Sequence, residues 1–239
     1  MVIATQIKER LALTDYGTVL TINDFGIDPR YQAALVKSLN RKVVSGELQK
    51  LSKGKYYKPK KTMFGFIGPS SFEILKDLLE KNGKIVGYIT GTSAFASMGL
   101  TTQISSAIMI GMNRYRRTTT RGGLKISFLL QPNTITKENI PLLRILDAIK
   151  LIRQIPATLP DESVVILSNI ISSLPQKQIQ LLCQLSEQYT PYVRALLGAI
   201  LEYNSQSTCG LKMTLNGVTT YNLPISESVL PNKRNWNII

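Results

Sequence analysis

Residues 21–57 read TINDFGIDPRYQAALVKSLNRKVVSGELQKLSKGKYY, and this stretch decides how the first part of the chain folds. Thr21 and Asp24 have the spacing of a capping box, which satisfies orphan amides at a helix start, and Gly26 ends the short helix that follows. Asp28 then offers a carboxylate to free N–H groups, while Pro29 sits where no donor is lost, so a second helix is expected to about Ser45. At about 100° per residue, Tyr31, Leu35, Leu39 and Val43 stack on one side of it, and Arg30, Lys37 and Arg41 fall nearly opposite. Gly46 is a natural stop. Residues 48–51 and 55–57 can then pair around Ser52, Lys53 and Gly54, with the glycine supplying positive φ. A solvated amphipathic helix would explain the helix alone. The hairpin and its exit add Lys50, Lys53, Lys55, Lys58, Lys60 and Lys61 around Tyr56 and Tyr57, as a phosphate-contacting wing requires. Helix, helix and basic hairpin make a winged helix-turn-helix pattern.

Upstream, Ile7, Leu11 and Leu13 predict a first amphipathic helix, and residues 18–20 form a short β-branched run. Downstream, MFGFIGPS (residues 63–70) interrupts its apolar anchors with glycine and proline and reads as a connector. The expected organisation is a winged-helix domain over 1–63, a linker over 64–70 and a mixed α/β domain over 71–239. Ser70 with Glu73 starts the second domain's first helix, which runs toward Gly83. Thr92 or Ser93 caps a short helix ended by Gly99. Residues 107–111 and 125–130 read as strands, and helices follow over 136–154, 161–174, 175–187 and 191–203. Residues 211–215 and 218–223 flank Asn216 and Gly217 and predict a C-terminal β-hairpin. The fold class is therefore α+β.

The chain has 239 residues with 29 Lys and Arg against 15 Asp and Glu, a net charge of +14 that attracts polyanions. Residues 1–63 alone carry 12 basic and 5 acidic residues. Histidine is absent, which removes the commonest general base and metal ligand, and Cys183 and Cys209 cannot build a disulfide framework or zinc site by themselves. No cofactor, metal site or catalytic residue is expected. Gly91, Thr92 and Ser93 superficially resemble a nucleotidyltransferase loop, but no paired aspartates follow, and a helix cap explains them. Asp161 and Glu162 suit a helix start, and Cys183 suits a core. No signal-peptide pattern opens the sequence, and no apolar run approaches the roughly 20 residues of a membrane span, so a reducing cytoplasmic setting is expected.

Two groups of residues are candidates for binding. Arg30, Gln32, Lys37, Ser38, Asn40 and Arg41 on the second helix, with Lys53 and Lys55 on the hairpin, are expected to contact duplex DNA. Arg114, Tyr115, Arg116, Arg117 and Arg121, ahead of Gly122 and Gly123, form an arginine-rich segment suited to phosphate, carboxylate or a stacked base. A solvated loop between strands is the alternative for that segment.

The Gly54-Lys55-Tyr56 wing, GYITGTSAFASMGLTTQ at residues 87–103, the paired strands after it and the helix around LLRILDAIKLI together resemble the AbiEi family of type IV antitoxins. The resemblance covers most of the chain. Its recurrent mark is matched by Thr92, Ser93, Ala94, Gly99, Leu100 and Thr101. It implies a transcriptional regulator that represses its own operon and carries a second, antitoxin domain. A nucleotidyltransferase-like toxin, or that toxin's RNA substrate, is the implied partner. The residues themselves leave two rivals open, a protein-docking module that binds no DNA and an RNA-binding protein using the Arg114–Arg121 segment.

Overall fold

The structure is a computed structural model and describes residues 3–239. Its residues group into two compact units, Met1–Leu78 with Thr119–Lys125, and Leu79–Thr118 with Ile126–Ile239. The architecture is α+β.

In the first unit α1 (Ile3–Ala12) precedes β1 (Val19–Thr21) and a 3-10 turn over Ile22–Phe25. The Asp24 carboxylate accepts from both the amide and the hydroxyl of Thr21, at 2.6 and 2.7 Å, and Gly26 closes the turn at φ 61°. The next helical run begins as the sequence predicts. Asp28 accepts from the Arg30 amide, Pro29 opens a 3-10 turn, and α2 (Gln32–Val44) continues from it. Strands β2 (Gln49–Ser52) and β3 (Lys55–Tyr57) turn at Gly54, φ 72°, and give an antiparallel sheet of order β1-β3-β2. Ile7, Leu11, Leu20, Phe25, Leu35, Leu39, Leu48 and Tyr56 pack as one core. Each such burial stabilises by about 1.5–3 kcal/mol, which is what holds α2 against α1 and the sheet. Leu13 and Tyr31 are corrections to the expected apolar faces, since both are exposed.

Residues 60–67 are not an unstructured connector. They form a hairpin of β4 (Lys60–Thr62) and β5 (Gly65–Ile67). Helix α3 (Ser71–Leu79) likewise groups largely with the first unit, so the boundary falls after Leu78 and not at residues 64–70. Polar contacts tie α3 to this unit in addition to its buried Ile74, Leu75 and Leu78. Ser70 does cap the Glu73 amide at 3.3 Å, but the Glu73 carboxylate accepts from the Val19 amide instead of folding back on Ser70. Asp77, two turns into α3, pairs with Lys55 at 2.5 Å and with Arg121 at 2.7 Å.

The second unit opens with a short hairpin of β6 (Glu80–Lys81) and β7 (Lys84–Ile85), turning through Asn82 and Gly83. Strand β8 (Gly87–Thr90) leads into α4 (Thr92–Ser97), whose cap is Gly91 and not Thr92 or Ser93. Then β9 (Ala107–Met112) pairs antiparallel with β8, placing Tyr88 opposite Gly111, where a Cβ would lie 2.5 Å from the tyrosine ring. Residues 119–125, which group with the first unit, hold β10 (Thr119–Arg121), and the chain reverses at Gly122 and Gly123, with φ of 54° and 81°, into β11 (Leu124–Leu130). Two successive positive-φ residues are what a tight hairpin turn needs. Helices α5 (Asn139–Lys150), α6 (Pro160–Ser172), α7 (Gln176–Ser186) and α8 (Pro191–Tyr203) fall close to the predicted spans. Their apolar faces form one core, and Cys183 is part of it.

The predicted C-terminal hairpin is absent. Leu211–Thr214 is a 3-10 turn, and neither Asn216 nor Gly217 adopts the positive φ that a two-residue hairpin turn demands. The Asn216 side chain instead accepts from the Val218 amide at 2.9 Å, and Tyr221 forms a parallel bridge with Ile238. Val218 and Met213 are exposed, so alternation in this tail does not define a buried face. Among the described residues no helix is long and apolar enough to cross a membrane.

Candidate nucleic-acid interface

Helix α2 turns Leu35 and Leu39 inward, and this fixes which residues point out. Gln32, Ala33, Val36, Lys37, Asn40 and Arg41 form one wall of a groove, and Lys50, Lys53 and Gly54 of the β2–β3 hairpin form the other. Its volume is about 1040 Å³. Among the described residues Lys37, Arg41, Lys50 and Lys53 have no carboxylate partner, and all four are exposed. The Tyr56 hydroxyl donates to Asn40 Oδ1 at 3.3 Å and leaves the Asn40 amide nitrogen available. Amide side chains can pair bidentately with adenine and arginine with guanine, whereas Ala33 and Val36 offer apolar surface to a thymine methyl.

Several predicted contacts lie elsewhere. Arg30 does not line the groove, because its guanidinium forks onto Asp28 through Nε at 3.1 Å and Nη2 at 2.8 Å. That pairing, with the Arg30 amide, holds the Asp28 carboxyl below its ordinary range. Ser38 is half-buried and outside the groove. Lys55 is the clearest correction on the wing, since its ammonium is committed to Asp77 and its side chain is only 13% exposed. Lys58 is also used internally. Its Nζ donates to the carbonyls of Leu11 and Thr14, at the end of α1, and lies 4.7 Å from the Tyr16 ring centre. A cation there complements the helix dipole. Lys50, at a register shift in the sheet, is the groove residue missing from the predicted set. Its place in a lysine-rich hairpin was visible; its side was not, because a bulge reverses which residues face out.

The arginine-rich segment divides in the same way. Arg114, Tyr115, Arg116 and Arg117 are exposed, with Tyr115 at 78%, and the Arg116 guanidinium lies 5.9 Å from the Phe128 ring centre. Asn113 anchors the start of this loop by donating to the carbonyls of Gln131 and Asn133, at 2.6 and 2.7 Å. Arg121 does not belong with them. It sits in β10, ion-paired to Asp77 and donating to the Ile74 carbonyl at 3.2 Å. Arg114, Arg116 and Arg117, which have no carboxylate partner among the described residues, and the exposed Tyr115 ring therefore remain on the loop.

The first unit thus presents a winged helix whose outward helix and hairpin enclose a basic groove. The chain matches the family DUF6088, a family of unknown function, over residues 6–164 and belongs to it. Among solved structures it is similar to the RV2827C protein from Mycobacterium tuberculosis at 16% identity, with a TM-score of 0.43 and coverage of 91% of this chain and 83% of that one. No curated protein matches the sequence.

Proposed function

We propose that the chain is a duplex-DNA-binding transcriptional regulator acting in the cytoplasm, with α2 entering a major groove and the β2–β3 hairpin holding the flanking backbone. The observation that carries this is the groove flanked by Lys37, Arg41, Lys50 and Lys53, four cations without carboxylate partners among the described residues, on two facing elements. Arg41, Asn40 and Gln32 are the base-reading residues in this mechanism, and Lys50 and Lys53 the phosphate contacts.

A gel shift with the DNA upstream of the chain's own gene tests it. If about five phosphates are neutralised, log K should fall against log salt with a slope of about −4 to −5. Arg41→Ala should cost about 1–3 kcal/mol on the preferred site and less on random duplex, while Lys53→Ala should weaken both alike. Salt-independent binding, or preference for single-stranded RNA, would overturn the reading.

We further propose, from the likeness to AbiEi antitoxins, that the second unit counters a nucleotidyltransferase-like toxin encoded beside this chain. The exposed Arg114, Arg116 and Arg117 supply the surface for that toxin or its RNA substrate. Co-expression of toxin and full chain should restore growth, and Arg116→Glu with Arg117→Glu should reduce the rescue while leaving operator binding intact. Undiminished rescue by that double variant would remove the loop from the mechanism, and growth arrest despite abundant wild-type chain would remove the antitoxin role.

A further inference from the structure

The β4–β5 hairpin has no counterpart in the three-stranded wing sheet, and its side chains are placed against the ordinary logic of burial. Register pairs Lys60 with Ile67, Lys61 with Phe66 and Thr62 with Gly65, so Met63 and Phe64 form the two-residue tip. The tip is tightly held, with the Thr62 hydroxyl donating to the Gly65 carbonyl at 2.8 Å and accepting from the Phe64 amide at 3.3 Å. Met63 is 96% and Phe64 99% exposed, and Phe66 and Ile67 are each 54% exposed. Lone surface apolars need no explanation, but four on one hairpin mark a contact surface.

Charge selects the occupant. Lys60 and Lys61 stand beside the apolar tip, and no carboxylate occurs from Lys55 to Phe72. A second copy docking symmetrically would bring these lysines together, which costs energy, so the partner is anionic. Phe66, Lys60 and Lys61 also line a cleft of about 730 Å³ with Lys8 and with Lys42, whose ammonium pairs with Glu47 on the same wall. A concave cleft that leaves Lys8, Lys60 and Lys61 for a ligand, beside a projecting tip, follows a strand-shaped polyanion, whereas a flat anionic bilayer would meet the tip and leave the cleft unused.

We infer that this hairpin is a second DNA contact, in which Met63 or Phe64 wedges between stacked base pairs while Lys60 and Lys61 hold the adjoining phosphates. Apolar wedges of this kind partly unstack a base step, and the exposed tip is already shaped to enter one. The inference rests on the DNA-binding reading proposed above.

Duplexes of the upstream DNA carrying 2-aminopurine at successive positions distinguish the two. Full-length protein should raise fluorescence several-fold at one step. The double variant Met63→Ala with Phe64→Ala should abolish that rise and bind roughly tenfold more weakly, whereas Phe64→Leu should keep most of it. Because both side chains are in solvent, circular dichroism of the double variant should match wild type. Tight duplex binding with no unstacked position, unchanged in the double variant, overturns the wedge and leaves the groove reading standing. Failure of wild type to bind any duplex overturns both. Sedimentation with phosphatidylserine vesicles, or dimerisation in the ultracentrifuge, that is lost in the double variant would assign the tip to a membrane or a second copy and overturn the wedge.

Discussion

Replacing Asp147 with alanine is expected to destabilise the second unit by roughly 4 kcal/mol, since three hydroxyl donors lose their acceptor together. Asp147 lies on α5, fully buried, and its carboxylate accepts from the hydroxyls of Tyr88 and Thr90 at 2.7 Å each and of Tyr189 at 2.8 Å. Gln131 closes the circuit by donating to both tyrosine oxygens, at 2.9 and 2.7 Å, and accepting from the Asn133 amide and side chain. The network ties a strand, a helix and two loops of this unit together, so its loss is not local. Burial pushes the Asp147 carboxyl above its ordinary value, against the pull of those three hydroxyl donors. A raised folded value means that its contribution to stability is complete below about pH 3.9 and is lost as pH rises through the raised value. Asp147→Asn should therefore be less stable than wild type by about 1–3 kcal/mol at acid pH, with the gap narrowing as pH rises. Denaturant unfolding followed by Trp236, the chain's one tryptophan, measures this across pH. A gap independent of pH would mean that the carboxyl keeps one protonation state throughout.

The winged helix was legible because its instructions are local. Thr21, Asp24, Gly26, Asp28, Pro29, Gly46 and Gly54 each act within a few residues of themselves, and each turned or capped the chain where expected. What escaped was set by distant partners. Lys55 and Arg121 looked like ligand-binding cations, but both are bound to Asp77, and nothing in the spacing of residues 55, 77 and 121 announces that triad. The tail erred for a related reason. Asn216-Gly217 is a strong local turn signal, yet the backbone of residues 221–223 finds its partners at Asn237 and Ile239, so tertiary pairing overrides it. The buried carboxylate, by contrast, does have a local mark in the sequence. Asp147 stands four residues after Leu143 and four before Leu151, in step with the apolar face of α5, and a carboxylate at a core position must have buried donors.

Gly198→Ala is expected to cost the second unit about 2–3 kcal/mol, although alanine is the better helix former by about 1 kcal/mol. Gly198 is buried inside α8, and a Cβ built there would lie 2.2 to 2.6 Å from three ring atoms of Trp236. The indole cannot simply retreat. Its Nε1 donates to Glu202 at 2.8 Å, Asn232 donates to the Ala199 carbonyl at 2.9 Å, and the 3-10 turn Lys233–Trp236 is thereby laid along the helix. A methyl inserted at residue 198 must lift that turn, and with it the parallel bridge between Tyr221 and Ile238. The double-mutant cycle with Trp236→Leu separates steric conflict from any other effect of alanine. With the ring gone, Gly198→Ala should be neutral or mildly stabilising, giving a coupling of about 2–3 kcal/mol between positions in contact. Circular dichroism in denaturant reads all four proteins, including those without the tryptophan. Equal losses from Gly198→Ala with and without the indole would show that the glycine serves α8 itself and not the close approach of the C-terminal turn.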